Sequence, residues 1–478
     1  MSDRLRVLVY NSTPLGVCDF YRTWMFQPHF EALGIELRSW PARTPPRPPR
    51  PGRRLAWADR EALEWADVVV FRRGEQTHHL CFDCAFATPS REEATAHARD
   101  RRHAVQTAAN EFLRPLWAAL ETEPRLLAGR GLVYETDDDL LRIPTWNGNR
   151  RILAHERDLV EAMLRRADLV TVSTPVLAER VRAQSPRVRV IRNAVEPAWY
   201  TEATPDPDLP GEPRVLHYGN ASRLAYYDVC RAAVEAVKDH HPDLWRVWLG
   251  APDSPEHRAR IAAVVDEVRD YVIGVPAFAR ALVRARPDIG LAPLLGDEFD
   301  RAKSELHWLE YALAGAVTVA TRTMAGGPYS VIRNGVDGFL VKSKAEWYDT
   351  LLRLARSPGL RAEVAGRARE RVLAEYDAAR RAVEWADAFR WAAEHAGIGR
   401  LERRLVVDAS AVEAVRRRST ASLGHRRRIR RWEEAAARRL VRVRASTLPA
   451  GMRSSLISVV VPVVGGDDAE ARLSRSLP

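Results

Sequence analysis

Four side chains raise the first chemical question. Cys81, Cys84, His97 and His103 read Cys-x2-Cys-x12-His-x5-His. Thiolates and imidazoles are the ligands a tetrahedral Zn²⁺ prefers, and at this spacing two short loops can close around one ion. Phe86 between them offers a small apolar plug, and Ser90 followed by "REEATAHARDRRH" predicts a capped helix carrying both histidines. The chain has 4 cysteines, and the other two, Cys18 and Cys230, stand apart in sequence. Sparse cysteines with one paired set fit metal ligation in a reducing compartment better than a disulfide framework. A structural zinc module is expected over 78–104.

The elements that must carry this module can be read from composition and pattern. A chain of 478 residues, 46% hydrophobic and with 14 tryptophans, holds two or three domains with real cores. The formal charge is +11, but residues 401–445 hold 14 Arg against 5 acidic residues, a net +9. The main body is therefore close to neutral. The tail reads either as a solvated Arg-rich helix or as a contact for an anionic surface, nucleic acid or an acidic partner. No stretch approaches the ~20 apolar residues of a membrane-spanning helix, and the N-terminus reads as a strand rather than a secretory leader. The expected location is the cytoplasm, with the tail available to the inner face of a membrane.

Short apolar runs alternate with amphipathic stretches along the body, the pattern of a parallel sheet covered by helices. "RLRVLVYN", "GIELRSW", "EWADVVVFRR", "GLVYETDDDL", "RRADLVTV" and "RVRVIRNAV" predict six strands before residue 204. "PDPDLPGEP" predicts a linker. The alternation then restarts with strands at "RVLHYGN", "LWRVWLGA", "YVIGV", "DIGLAPL" and "VTVAT", and with a helix over "PEHRARIAAVVDEVRD". The expected class is α/β: two Rossmann-like domains facing a cleft, 1–204 and 214–375, with residues 376–398 crossing back to the first. A basic helical extension, 401–456, and an orphan strand, "ISVVVPV" within 457–478, complete the chain.

The segment 287–341, "PDIGLAPLLGDEFDRAKSELHWLEYALAGAVTVATRTMAGGPYSVIRNGVDGFLV", resembles the nucleotide-sugar-binding domain of GT-B glycosyltransferases of the group-1, family 4 type. "ETDDDLLRIP", "ADLVTVSTPVLAERV" and "RVRVIRNAVEP" extend the resemblance into the first half. It implies a hexosyltransferase-like, retaining enzyme that moves a sugar from a nucleoside-diphosphate sugar to a glycan, lipid, protein or small-molecule acceptor. Glu310 matches the second Glu of the family's Glu-x7-Glu motif and would accept the ribose hydroxyls. Arg301, Lys303 and Ser304 occupy the helix start where a diphosphate would lie. In "GNASRLAYY", Gly219 and Arg223 are the phosphate-loop candidates, and Gly327 and Tyr329 sit where the backbone would approach the donor. Gly16 lies in the loop closing over the reaction centre. Tyr21 and Arg22 come after it, with Arg22 taken as catalytic. In "ETDDD", Asp137 and Asp138 fall where relatives carry a His-Asp pair, and Asp137 would orient an acceptor hydroxyl or face the developing positive charge.

The sequence departs from this pattern at Ala302, where the first Glu of the motif belongs; Asp300 or Asp297 is the substitute considered. That loss leaves a second reading open, a non-catalytic GT-B-like scaffold, or a partner- or nucleic-acid-binding protein acting through the finger and tail. A lone finger reads only ~3 base pairs, so a protein contact or a shaped acceptor entrance is the preferred role. The orphan "ISVVVPV" also resembles the first strand of a GT-A family 2 transferase.

Overall fold

The computed structural model describes residues 4–10, 17–40, 57–72, 124–147, 157–219, 223–251, 255–272 and 274–398. Their strands and helices lie in one unit, Met1–Ala396, containing two parallel six-stranded sheets. The first sheet has the order β2-β1-β3-β4-β5-β6, with β1 Leu5–Tyr10, β2 Ile35–Trp40, β3 Val68–Arg72, β4 Gly131–Thr136, β5 Leu169–Val172 and β6 Val188–Val190. The second runs β12-β11-β10-β7-β8-β9, with β7 Arg214–Tyr218, β8 Trp245–Ala251, β9 Glu267–Asp270, β10 Ile289–Ala292, β11 Val317–Thr321 and β12 Phe339–Val341. Inner strands such as β3, β4 and β7 are buried along their whole length. Helices cover both faces of such sheets, so these strands are largely apolar, with Arg72, Glu135, Thr136, Arg214 and His217 as buried polar exceptions.

One local device recurs at the lower ends of both sheets. An aspartate directly before a strand accepts a backbone N–H from the first or second residue of the neighbouring strand. Asp67 does so for Arg6 (2.9 Å), Asp168 for Leu132 (2.8 Å), Asp266 for Arg246 (2.8 Å) and Asp288 for Arg214 (2.7 Å). A buried N–H at a ladder end has no sheet partner, so the carboxylate completes the row. Asp67 and Asp266 also hold the guanidinium of the same partner, at 2.7 and 2.8 Å.

The sixfold reading of the first half matches the observed strands. In the second half one strand, β12, joins the five expected, and one element moves. The helix expected over 255–270 stops at Ala262, and the strand is the charged Glu267–Asp270 rather than "YVIGV". β9 is a half-exposed edge, where charge is tolerated and discourages further pairing. Its Glu267 is held at 2.7 Å by Arg214 and at 2.6 Å by Arg269.

The long helix Ala378–Glu394 starts at an Asp377 cap and lies on the first sheet. There Trp385 packs against Phe26, Phe389 packs against Phe30, and Gly131 leaves no room for a β-carbon beside the Ala392 carbonyl. The backbone of Val195 brackets the return, accepting from Ala378 N–H and donating to Tyr376 C=O, both at 3.0 Å.

The finger residues Cys81, Cys84, His97 and His103, the loop residue Gly16 and the basic extension all lie outside the described residues. No group of three or more His, Cys, Asp or Glu suited to a metal occurs among the described ones. No described helix is long and apolar enough to cross a membrane.

Candidate functional site

The upper ends of the two sheets face each other, and the site is built from the turns and helix starts beyond the strands. β7 delivers His217 and Tyr218 and ends at Gly219. Its φ of +138° belongs to the region glycine favours, and its carbonyl accepts from Trp248 Nε1 at 3.0 Å. Arg223 then stands at the N-terminal boundary of the 17-residue helix Leu224–His240, with no capping bond from its side chain. Its guanidinium lies 4.9 Å over the Tyr226 ring and makes no ion pair among the described residues. The helix N-terminus adds partial positive charge at the same place. Arg223 also acts electrostatically on His217, His307 and Glu310. Burial, aided by Arg223, pushes His217 down to about 4 and His307 well below the usual imidazole range, so both rings are neutral near pH 7.

Glu310 sits on the apolar helix Leu306–Leu313 and is 2% exposed. Its two oxygens accept from the hydroxyls of Tyr21 and Tyr218. Burial raises its carboxyl to about 7, against the opposing pull of those two hydrogen bonds and of Arg223. Tyr218 is stacked on His307 at 4.4 Å with an 11° interplanar angle, which fixes the ring whose hydroxyl reaches the carboxylate.

The other predicted residues distribute unevenly. Lys303 Nζ is 4.0 Å from Asp138 Oδ1 and 4.4 Å over the Phe299 ring, and Ser304 Oγ accepts from Asn193 Nδ2 at 2.8 Å. Asp137 stands beside them, its carbonyl accepting from Ser173 Oγ at 2.9 Å. Arg301 does not join this group: it pairs with Glu298, one turn before it, at 2.6 Å. Gly327 makes its turn where a β-carbon would meet Thr323 at 2.7 Å, and Tyr329 is buried two residues later, its phenol raised by that burial.

Arg22 lies under the strand ends rather than on the cleft wall. It is 3% exposed, bonded to Glu135 at 2.7 Å, to the Ile191 carbonyl at 2.6 Å and to Asn193 Oδ1 at 3.2 Å. Arg72 takes the other oxygen of Glu135 at 2.7 Å. Burial raises the Glu135 carboxyl, but Arg72 and Arg22 outweigh it and hold it below the ordinary range. This buried triad ties Arg22 to β4 and to the loop after β6.

The substitutes considered for the carboxylate missing at 302 are both committed elsewhere. Asp300 accepts from Tyr226 at 2.8 Å and from the N–H groups of Leu295 and Gly296 at 2.8 and 3.0 Å. Asp297 caps Asp300 N–H at 2.8 Å and takes the indole of Trp146 at 3.1 Å. Ala302 itself is buried, and its carbonyl accepts from Thr174 at 2.9 Å. Sequence reasoning missed Arg192, Asn193 and Glu305. The last is a fully buried carboxylate held by Arg192 at 3.1 Å. The polar pair Arg192-Asn193 directly after the apolar strand of "RVRVIRNAV" was the available signal.

Residues 255–387 match the model of a family described as glycosyl transferase-like. No curated protein sequence matches the chain. Among solved structures, a glycosyltransferase from Rickettsia africae ESF-5 shares the fold at a TM-score of 0.51 and 14% identity, over 82% of this chain and 99% of that one. HepE of Anabaena, solved with UDP and glucose, aligns at a TM-score of 0.49 and 15% identity, over 81% and 99%. TarM aligns at 0.42 and 15%, over 54% of this chain, which spans half (50%) of TarM. The likeness to the Rickettsia structure is one of fold, and the two parallel-sheet Rossmann-like halves are consistent with the GT-B architecture that the sequence implied.

Proposed function

We propose that the chain is a GT-B glycosyltransferase that takes a hexose from a nucleoside-diphosphate sugar and passes it to an acceptor with retention. One observation carries the reading: Arg223, a cation with no ion pair among the described residues, stands at the start of a long helix and bears electrostatically on the buried carboxylate of Glu310. A diphosphate needs a guanidinium and helix-end N–H groups, and a ribose needs a carboxylate. Arg223 and Lys303 would stabilise the leaving diphosphate as its charge develops. His217 and His307, neutral near pH 7, leave that role to Arg223 and Lys303. Asp137 and Asp138 stand at the end of β4, on the acceptor side, where one would orient the incoming hydroxyl.

The competing reading, a scaffold that kept the fold, draws on the tyrosine hydroxyls that fill Glu310. Release of nucleoside diphosphate from UDP-glucose, GDP-mannose or dTDP-glucose separates the two. Turnover of one donor, lost in Arg223→Ala, supports the transferase; inertness toward all of them supports the scaffold. We further propose that Cys81, Cys84, His97 and His103 hold a structural Zn²⁺, a donor set of two thiolates and two imidazoles that suits a closed tetrahedral site.

A further inference from the structure

Between Asp297 and Glu310, the second lobe is fastened to the first almost residue by residue. Trp146 Nε1 donates to Asp297 at 3.1 Å, and Arg180 binds Glu298 at 2.6 Å. Thr174 donates to the Ala302 carbonyl at 2.9 Å, Asp138 faces Lys303 at 4.0 Å, and Asn193 donates to Ser304 at 2.8 Å. Arg192 holds Glu305 at 3.1 Å, and Tyr21 donates to Glu310. Every first-named residue comes from the first lobe and every second-named one from the segment proposed to hold the donor. Glu310 lies at the inner end of this seam, with both oxygens filled by phenol hydroxyls.

A ribose presents two neighbouring hydroxyls, and a carboxylate holds them by accepting one hydrogen bond on each oxygen. Here Tyr21 and Tyr218 make that same pair of bonds. Tyr218 belongs to the same lobe as Glu310 and would travel with it. Tyr21 belongs to the other lobe, so only a separation of the lobes removes it.

We propose that Tyr21 is an intramolecular competitor for the sugar hydroxyls, a latch that closes the cleft over Glu310 until a nucleotide displaces it. The inference rests on the donor-site reading above and adds its regulation. Donor entry and lobe opening then become one event. The affinity the protein shows is the intrinsic affinity of the open form reduced by the fraction of molecules that are open. If about one molecule in ten is open, releasing the latch tightens binding by about tenfold.

Full-length Tyr21→Phe tests this in two readouts. Small-angle X-ray scattering without nucleotide is expected to give a larger radius of gyration than the parent chain, and calorimetry with UDP, GDP and dTDP is expected to give about tenfold tighter binding of the preferred one. An unchanged radius overturns the latch. A larger radius with unchanged or weaker binding overturns the competition for Glu310. A larger radius with no binding of any of the three by either protein supports the interlobe latch and overturns the donor-site reading. Should Tyr21→Phe not fold, Trp146→Phe, which removes the indole N–H donated to Asp297 at the same seam, carries the same two readouts and the same expectations.

Discussion

The position a β-carbon would take on Gly219 falls 2.3 Å from Cγ of Arg223. The glycine thus serves two needs at once: a backbone at φ +138° and space for the stem of the arginine beside it. Gly219→Ala is expected to cost about 1–3 kcal/mol of backbone strain and to push Arg223 off Tyr226. Nucleoside-diphosphate affinity should fall in titration calorimetry by about as much as in Arg223→Ala, ten- to a hundredfold for one lost charge-assisted contact. Arg223→Ala should leave the melting temperature nearly unchanged, since it breaks no ion pair among the described residues; Gly219→Ala should lower it.

Stability should depend on pH through Glu310. Its carboxyl is raised to about 7 in the folded chain by burial, against an ordinary value of 4.5. The folded state therefore binds the proton more tightly than the unfolded one. This stabilisation is full below about 4.5 and is lost as pH rises through about 7. Its size is roughly 3 kcal/mol at most. Melting curves from pH 4.5 to 8 should show the parent losing stability relative to Glu310→Gln as pH rises. Parallel curves would mean that the carboxylate is not buried as described.

Glu135 gives the opposite sign. Arg72 and Arg22 hold its carboxyl below the ordinary range, so its stabilisation is present above the unfolded value and is lost as pH falls through the folded one. Glu135→Gln leaves two buried guanidiniums without their shared anion, and breaking a buried pair in this way costs about 3–5 kcal/mol. Chemical denaturation should register that loss with an unchanged slope.

Much of this frame could be read from residue patterns. Ala66-Asp67 before "VVVF" marked a strand entrance, and the same aspartate recurs before β5, β9 and β10. It worked as a signal because a ladder end needs an acceptor whatever the fold around it. β9 escaped because an edge strand can be charged: Glu267–Asp270 carries no alternation to detect. Glu310 stood out as an acid in an apolar helix, but its partners did not. Tyr21 is 289 positions away from it in sequence, and no local pattern links residues that meet only when two lobes close. The partners of Arg22 were hidden for the same reason, since Glu135 comes from β4 and Ile191 and Asn193 from the loop after β6.

The proposed finger has a direct chemical assay. Protein purified without chelator should contain about one zinc per chain by elemental analysis, and Cys84→Ser should contain much less. Zinc-free parent protein would end the proposal.

The helix Ala378–Glu394 settles when the first lobe can be finished. Trp385, Phe389 and Ala392 complete a core that also contains Val7, Val9, Val70 and Val133. A ribosome emits those valines long before it reaches the tryptophan. The nascent first sheet thus waits with one apolar face only partly covered, by Phe20, Phe26 and Phe30, until the second lobe has been translated. Truncations before 378 are therefore expected to give little soluble protein.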